Sequence, residues 1–252
     1  MPDRLGPRWL GLITLIFGLL EIPWVIYLIF FQQRTGTAYH THLIELGLAG
    51  ATVVLTALCA VGLWRGWRGT ASMAVMAATL LATGLGVALL LSQIQVSAVG
   101  LLGVVVTILV AYRGLHKGQF TDPWLTGFLV VVAVGTVFHL WNTVNGTEAT
   151  FDAEHLRLLV VGFDTAETVS LIGLGLALLK GRAKQAIVFG SMGVVLFLVD
   201  AWVNILAVPP GPQFTAAIFY AVVGELPSTA MCAAGLWLGM RRWKSDEALV
   251  VA

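Results

Sequence analysis

Apolar runs of about 20 residues recur along nearly the whole chain, and they constrain its fold more than any other feature. Such a run matches the hydrocarbon thickness of a bilayer, where only helices and closed barrels satisfy every backbone hydrogen bond. The chain is 58% hydrophobic and 11% charged, whereas soluble domains carry about 25% charged residues. We therefore predict an integral membrane protein without a soluble domain.

Hydropathy predicts an all-α polytopic bundle of about eight transmembrane helices, which forms one transmembrane domain over residues 1–252. The first apolar run is too long for the hydrophobic core of a signal peptide, so it is interpreted as the first span. We expect the spans to pair into four hairpins. The predicted spans are residues 9–31, 39–64, 69–92, 96–113, 124–144, 156–180, 184–206 and 214–240.

Lysine and arginine indicate the orientation. All but Arg34 and Arg157 of the 14 basic residues lie in the two tails or in the connections after the second, fourth and sixth spans. Basic residues concentrate in cytoplasmic segments, so both termini are predicted to be cytoplasmic, and we predict a bacterial plasma membrane as the location. The sequence has no run of basic residues of the kind that binds a phosphate backbone, which argues against nucleic acid as a partner.

Six acidic residues fall inside the predicted spans, where an ionised side chain is costly. No lysine or arginine lies at the same depth in the sequence, and Arg157 at the head of the sixth span is the nearest candidate partner. The six carboxylates cannot all stay ionised, so some must hold a proton, share protons in pairs or face a cation. Their estimated depths allow them to converge on one cavity that opens at the outer face. The candidate acid–base residues are Glu21, Glu45, Asp164, Glu167, Asp200 and Glu225, together with His139.

Aromatic and amide side chains lie close to these acids in the sequence. Trp24, Trp141 and Trp202 are near the outer interface, where anchoring in the headgroup region is the usual role of tryptophan. The alternative is that they line the cavity with Asn142 and Asn204. An aromatic wall beside carboxylates could stabilise a cationic ligand or a carbocation.

Two further patterns involve single helices. Glu21 and Glu225 each precede a proline by two residues, which predicts a helix kink of the kind that lines a cavity. His42 and Glu45 have the i, i+3 spacing that places metal ligands on one helical face. Two residues do not define a metal site, so we predict neither a metal nor an organic cofactor.

The stretch from 200 to 237 resembles a unit of the integral-membrane lycopene cyclases. Helix pairs of that family end in a Trp–Asp–Asn-type motif, and the next helix starts with G-x-P-x-E-E. The segments VGELPS and VGFDTAET are similar to that start, without the Glu-Glu pair after Pro227. Membrane terpene cyclases use acidic residues on different helices to protonate an isoprenoid, and the resemblance implies such a role for Glu45, Asp200 and Glu225.

Three classes of function fit these patterns. In the first, an intramembrane enzyme cyclises or isomerises an isoprenoid or lipid, with Asp200 or Glu225 as general acid and Glu21 or Glu45 as base or cation stabiliser. In the second, the same carboxylates couple a transporter or channel to protons or cations. In the third, the chain is a non-catalytic subunit of a membrane complex. The cytoplasmic halves of the helices are nearly apolar, which favours a pocket that opens on one side only, and therefore the enzyme. A homodimer is a possible assembly in all three classes.

Overall fold

A computed structural model describes residues 8–30, 41–67, 69–90, 94–117, 123–145, 153–206 and 211–251. These residues are helical almost throughout and include no strand. The helices are α1 (Arg8–Phe30), α2 (Thr41–Arg65), α3 (Thr70–Leu90), α4 (Ile94–Lys117), α5 (Pro123–Asn145), α6 (Ala153–Leu179), α7 (Ala183–Leu206), α8 (Pro212–Tyr220) and α9 (Leu226–Val251), with a π-helical turn (Ala221–Glu225) between the last two.

Five apolar helical segments in the described part of the chain are long enough to cross a membrane. They are Gly47–Arg65 on α2, Thr70–Val87 on α3, Val161–Leu179 on α6, Ala183–Ile205 on α7, and Pro212–Trp243, which runs from α8 through the π turn into α9. Shorter apolar segments lie on α1, α4 and α5. This length and composition indicate an integral membrane protein.

The contacts between Cα atoms divide the chain into two compact units. Unit 1 comprises Met1–Thr35, Val160–Ala201 and Ile218–Ala252, and unit 2 comprises Gly36–Leu159 and Trp202–Ala217. Helices α1, α9 and most of α6 and α7 therefore belong to unit 1, whereas α2 to α5 belong to unit 2.

In unit 2, α2 packs against α3 and α5, and α4 packs against the same two helices. Short connections between sequential, packed helices produce antiparallel neighbours. The turn after α2 depends on Gly66, whose φ of 67° is in the left-handed region. The backbone N–H of Trp67 donates to the carbonyl of Gly62 at 2.8 Å, which is the Schellman pattern that ends a helix at a glycine.

In unit 1, the core lies where α1, α6, α7 and α9 meet. Its buried side chains are Leu10, Leu171, Leu174, Ala177, Leu178, Ala186, Phe197 and Cys232. Glycines bring the backbones close together: a Cβ atom on Gly175 of α6 would lie 2.6 Å from the backbone nitrogen of Leu15 on α1. Lipid provides no hydrophobic force between helices, so such close van der Waals packing is what holds them together.

Two leucines of α6 allow the contribution of this core to be measured. Leu174 is fully buried, whereas Leu176 is 39% exposed. We expect Leu174→Ala to lower the free energy of unfolding by about 3 kcal/mol, because it leaves a cavity inside a packed core. Leu176→Ala is the matched control and should cost less than half as much. Thermal unfolding in detergent measures both variants, and equal losses would contradict this assignment of the core face.

The π turn lies where the sequence predicts a kink. Proline has no N–H, and its ring collides with the carbonyl oxygen four residues earlier. One turn before Pro227 the helix widens, so that the N–H of Leu226 donates to the carbonyl of Ala221, five residues back. The helix therefore continues through the proline instead of stopping there, and Glu225 lies at the end of the widened turn. π turns of this kind are frequent at functional sites.

Candidate functional site

Helix α6 presents two carboxylates on one face. Asp164 and Glu167 are three residues apart, which is the spacing that brings side chains together on a helix. The hydroxyl groups of Thr168 and Ser170 donate to the carbonyl oxygens of Asp164 and Glu167, both at 2.8 Å. These two hydroxyls are therefore hydrogen-bonded to the backbone of their own helix.

Helix α7 adds a third carboxylate, that of Asp200. One carboxylate oxygen each from Asp164, Glu167 and Asp200 lies within 4.8 Å of the other two. Asp164 and Glu167 are 7% and 4% exposed, and Asp200 is half-buried. We call these three residues the carboxylate cluster, and all three belong to unit 1.

The spacing of the cluster is compatible with a bound cation. Three oxygens that are at most 4.8 Å apart lie no more than about 2.8 Å from a common centre, close to the ~2.3–2.6 Å of Ca²⁺–oxygen bonds. Small side-chain movements would close the difference. Mg²⁺ requires shorter bonds, about 2.0–2.1 Å, and a strict octahedron, so the cluster fits a larger cation or shared protons better.

The cluster lies inside the apolar segments, away from the basic residues that follow α6 and begin α7. Glu167 is the seventh residue of the segment Val161–Leu179, about 9 Å from its start at 1.5 Å per residue. Lys180, Arg182 and Lys184 are at the other end of α6 and α7, about 20 Å from Glu167 along the helix axis. Arg157, the other basic residue of α6, precedes Glu167 by ten residues, about 15 Å along the helix axis.

Three other predicted site residues, Glu225, Trp202 and Asn204, have described side chains. Glu225 is half-buried at the π turn and lies outside the 4.8 Å group. Trp202 is 50% exposed, and its position two residues after Asp200 places it on the opposite side of α7. Asn204 is half-buried, and it follows Asp200 by four residues, so it lies on the same face of α7.

Trp202 has a close neighbour within unit 2. Its indole covers Gly47 of α2 so closely that a Cβ atom at Gly47 would lie 2.5 Å from the indole nitrogen. The absence of a side chain at Gly47 therefore makes room for the ring. The interface-anchor and cavity-lining interpretations of Trp202 both remain compatible with its half-exposed ring.

The remaining predicted residues are on helices whose backbone is described, but their side chains lie outside the described part of the structure. Glu21 and Trp24 are on α1, His42 and Glu45 on α2, and His139, Trp141 and Asn142 on α5. The group of potential metal-binding side chains in the described part consists of different residues, namely the carboxylate cluster.

All three members of the cluster are among the acid–base residues predicted from the sequence, but the sequence did not single them out as one group. It singled out the i, i+3 pair His42 and Glu45, although Asp164 and Glu167 have the same spacing in GFDTAET. That spacing, followed by a lone acid on the next helix, was the signal that could have predicted the group.

Comparisons with known proteins add no relative: no family model, no curated protein and no solved structure matches this chain.

Proposed function

We propose that this chain is an ion-coupled integral membrane protein, a transporter or channel, in which the carboxylate cluster binds a proton or a small cation. In this proposal the chain crosses a bacterial plasma membrane eight times, in four hairpins with cytoplasmic termini. Five apolar helices of spanning length and the distribution of lysine and arginine support this topology. The proposal holds for a monomer and for a homodimer.

One observation carries the proposal: three carboxylates from two helices come within 4.8 Å of one another inside apolar segments. Two like unit charges at such a separation repel by about 3 kcal/mol at an effective dielectric constant of about 20. A proton or cation that joins the cluster relieves this repulsion, so the cluster attracts positive charge. Ionisable residues of this kind inside membrane helices form the ion pathways and proton relays of transporters.

Electrical recording from proteoliposomes on a solid support tests the proposal without knowledge of a transported substrate. An ion that enters a site inside the membrane displaces charge, so a jump in proton, sodium or calcium concentration should give a transient current. We expect Asp200→Asn to reduce that current at least tenfold, because it removes one of the three charges.

Glu225→Gln is the matched control for this experiment. It removes a half-buried carboxylate of the same unit that lies outside the cluster, and it should reduce the current far less than Asp200→Asn does. A current that survives in Asp200→Asn, or that is lost equally in both variants, would count against the carboxylate cluster as the coupling site.

Acid-catalysed cyclisation or isomerisation of an isoprenoid or lipid is the second candidate, and one observation favours it. Asp200 is half-buried, whereas its two acidic neighbours are buried. Asp200 can therefore meet a substrate while Asp164 and Glu167 help to hold its proton, as in carboxylate pairs that act as general acids. Lipid extracts separate the candidates: an isoprenoid that accumulates on Asp200→Asn and is converted by the wild type supports the enzyme.

A further inference from the structure

The turn between α2 and α3 lies between two apolar segments of spanning length. One segment ends at Arg65 and the next begins at Thr70. Gly66, Trp67 and Gly69 between them therefore lie at the level where a bilayer places its lipid headgroups. The Schellman turn at Gly66 holds this connection in one backbone conformation.

An arginine and a tryptophan form a cation–π pair at this turn. The guanidinium carbon of Arg65 lies 5.8 Å from the centre of the Trp67 ring, which is within the range of a cation–π interaction. Both side chains are exposed, and the adjacent Trp64 is 73% exposed. A guanidinium group carries several N–H donors in a planar fork that matches the geometry of a phosphate.

More aromatic residues lie at the same end of the unit 2 bundle. Because α2 to α5 are antiparallel neighbours, the end of α4 and the start of α5 are at the end where α2 stops. The rings of Tyr112 and His116 near the end of α4 stack with centroids 4.7 Å apart, and Trp124 at the start of α5 is 81% exposed. Exposed tryptophan and tyrosine at helix ends are typical of the membrane interface.

The charge at this end is mainly positive. Arg65 and Arg113 are near the ends of α2 and α4. Lys117 is the last residue of α4. The connection after α2 contributes Arg68 to the sequence, and the connection after α4 contributes one acidic residue, Asp122. An anionic headgroup complements such a surface, and each basic residue near an anionic leaflet contributes about 1 kcal/mol of attraction.

From these observations we propose that the basic and aromatic end of α2–α5 binds anionic phospholipid headgroups, with Arg65 on the Trp67 ring as the phosphate contact. We call this surface the headgroup site. It is independent of the proposed ion coupling, because it involves none of the carboxylates in unit 1.

A second, separate cation–π pair supports the same chemistry in unit 1. The guanidinium carbon of Arg241 lies 5.0 Å from the centre of the Trp237 ring on α9, and Trp237 is 56% exposed. Trp237 is inside the last apolar segment, whose end is at Trp243. In both units, therefore, an arginine forms a cation–π pair with an exposed tryptophan close to the end of an apolar segment.

Native mass spectrometry of the full-length, delipidated protein tests the headgroup site. The probes are phosphatidylglycerol, which is anionic, and phosphatidylcholine with the same acyl chains, which is zwitterionic. We expect the wild type to bind the first phosphatidylglycerol molecule more tightly than phosphatidylcholine. Arg65→Gln should weaken that binding about fivefold, the factor that corresponds to one basic residue at an anionic surface.

Arg182→Gln is the matched control, because Arg182 is an exposed arginine at the turn between α6 and α7 whose guanidinium bonds Gln185 at 3.4 Å. It removes the same charge and should change the first binding constant by less than twofold. Trp67→Leu keeps an apolar residue but removes the ring, and it should reproduce part of the Arg65→Gln loss.

Three results would overturn the headgroup site. The first is equal binding of the two lipids by the wild type, and the second is an equal loss in Arg65→Gln and Arg182→Gln, which would reflect net charge alone. The third is displacement of phosphatidylglycerol by an equal concentration of inorganic phosphate, which would identify a site for free anions. Thermal unfolding of each variant verifies that the folded protein is being compared.

Discussion

Glu167→Gln should raise the thermal unfolding temperature of the protein in ion-free buffer, although it alters a buried side chain. The variant keeps the shape of the side chain and removes one of three charges that lie within 4.8 Å of one another. Relief of part of the repulsion should stabilise the folded state by about 1–3 kcal/mol. For a chain of this size that corresponds to a rise on the order of 5 °C.

The same substitution should also remove the response to ions. A cation that binds only the folded wild type stabilises it by mass action, so its unfolding temperature should rise with added calcium or sodium. Loss of one buried charged ligand costs about 2 kcal/mol or more, which is roughly a thirtyfold weaker binding constant. Scanning calorimetry or intrinsic fluorescence in detergent measures both effects.

Glu225→Gln is again the control, since that carboxylate lies outside the cluster. It should leave the rise of the unfolding temperature with added ions close to that of the wild type. If Glu167→Gln instead lowers the ion-free unfolding temperature, the Glu167 carboxylate stabilises the folded state and does not destabilise it by repulsion. The cluster would then be a structural hydrogen-bonded group, and the ion-coupled proposal would lose its physical basis.

Gly175→Leu should have the largest effect on stability of any single substitution considered for unit 1. A Cβ atom at this position would lie 2.6 Å from the backbone nitrogen of Leu15 and 2.8 Å from its Cα atom. Backbone atoms cannot rotate away as a side chain can, so α1 and α6 must separate. Overpacking of this kind costs about 1–3 kcal/mol for small insertions, and a leucine here should cost more than about 4 kcal/mol.

A graded series makes this prediction measurable even if the leucine variant does not fold. Gly175→Ala introduces the same first carbon and should lower the free energy of unfolding by an intermediate amount. Gly162→Leu is the matched control on α6, because a Cβ atom at Gly162 meets nothing within 4 Å. Size-exclusion profiles and unfolding temperatures should rank Gly162→Leu above Gly175→Ala and both above Gly175→Leu, and any other order would contradict the close contact of α1 with α6.

Two features of the structure illustrate what the residues predicted and what they did not. Pro227 predicted a local disturbance of the last helix, because any proline inside a helix removes a hydrogen bond. That the helix would respond with a π turn at Ala221–Glu225, and continue to Val251 instead of ending near residue 240, depends on how its neighbours pack. A proline alone does not choose between a break, a bend and a widened turn.

The sequence by itself determined that the chain is helical and built for a membrane, since long apolar runs with few charges leave no other backbone arrangement satisfied in lipid. It also identified Asp164, Glu167 and Asp200 as candidate site residues, because an ionised side chain inside a membrane-spanning helix is costly in free energy. Only the tertiary structure decided that these three lie together and that Glu225 does not. Lipid-facing and buried positions are both apolar here, as Leu176 and Leu174 are, so no periodic pattern reveals how each helix is rotated. That rotation is set by contacts such as Gly175 against Leu15, which join residues distant in the sequence.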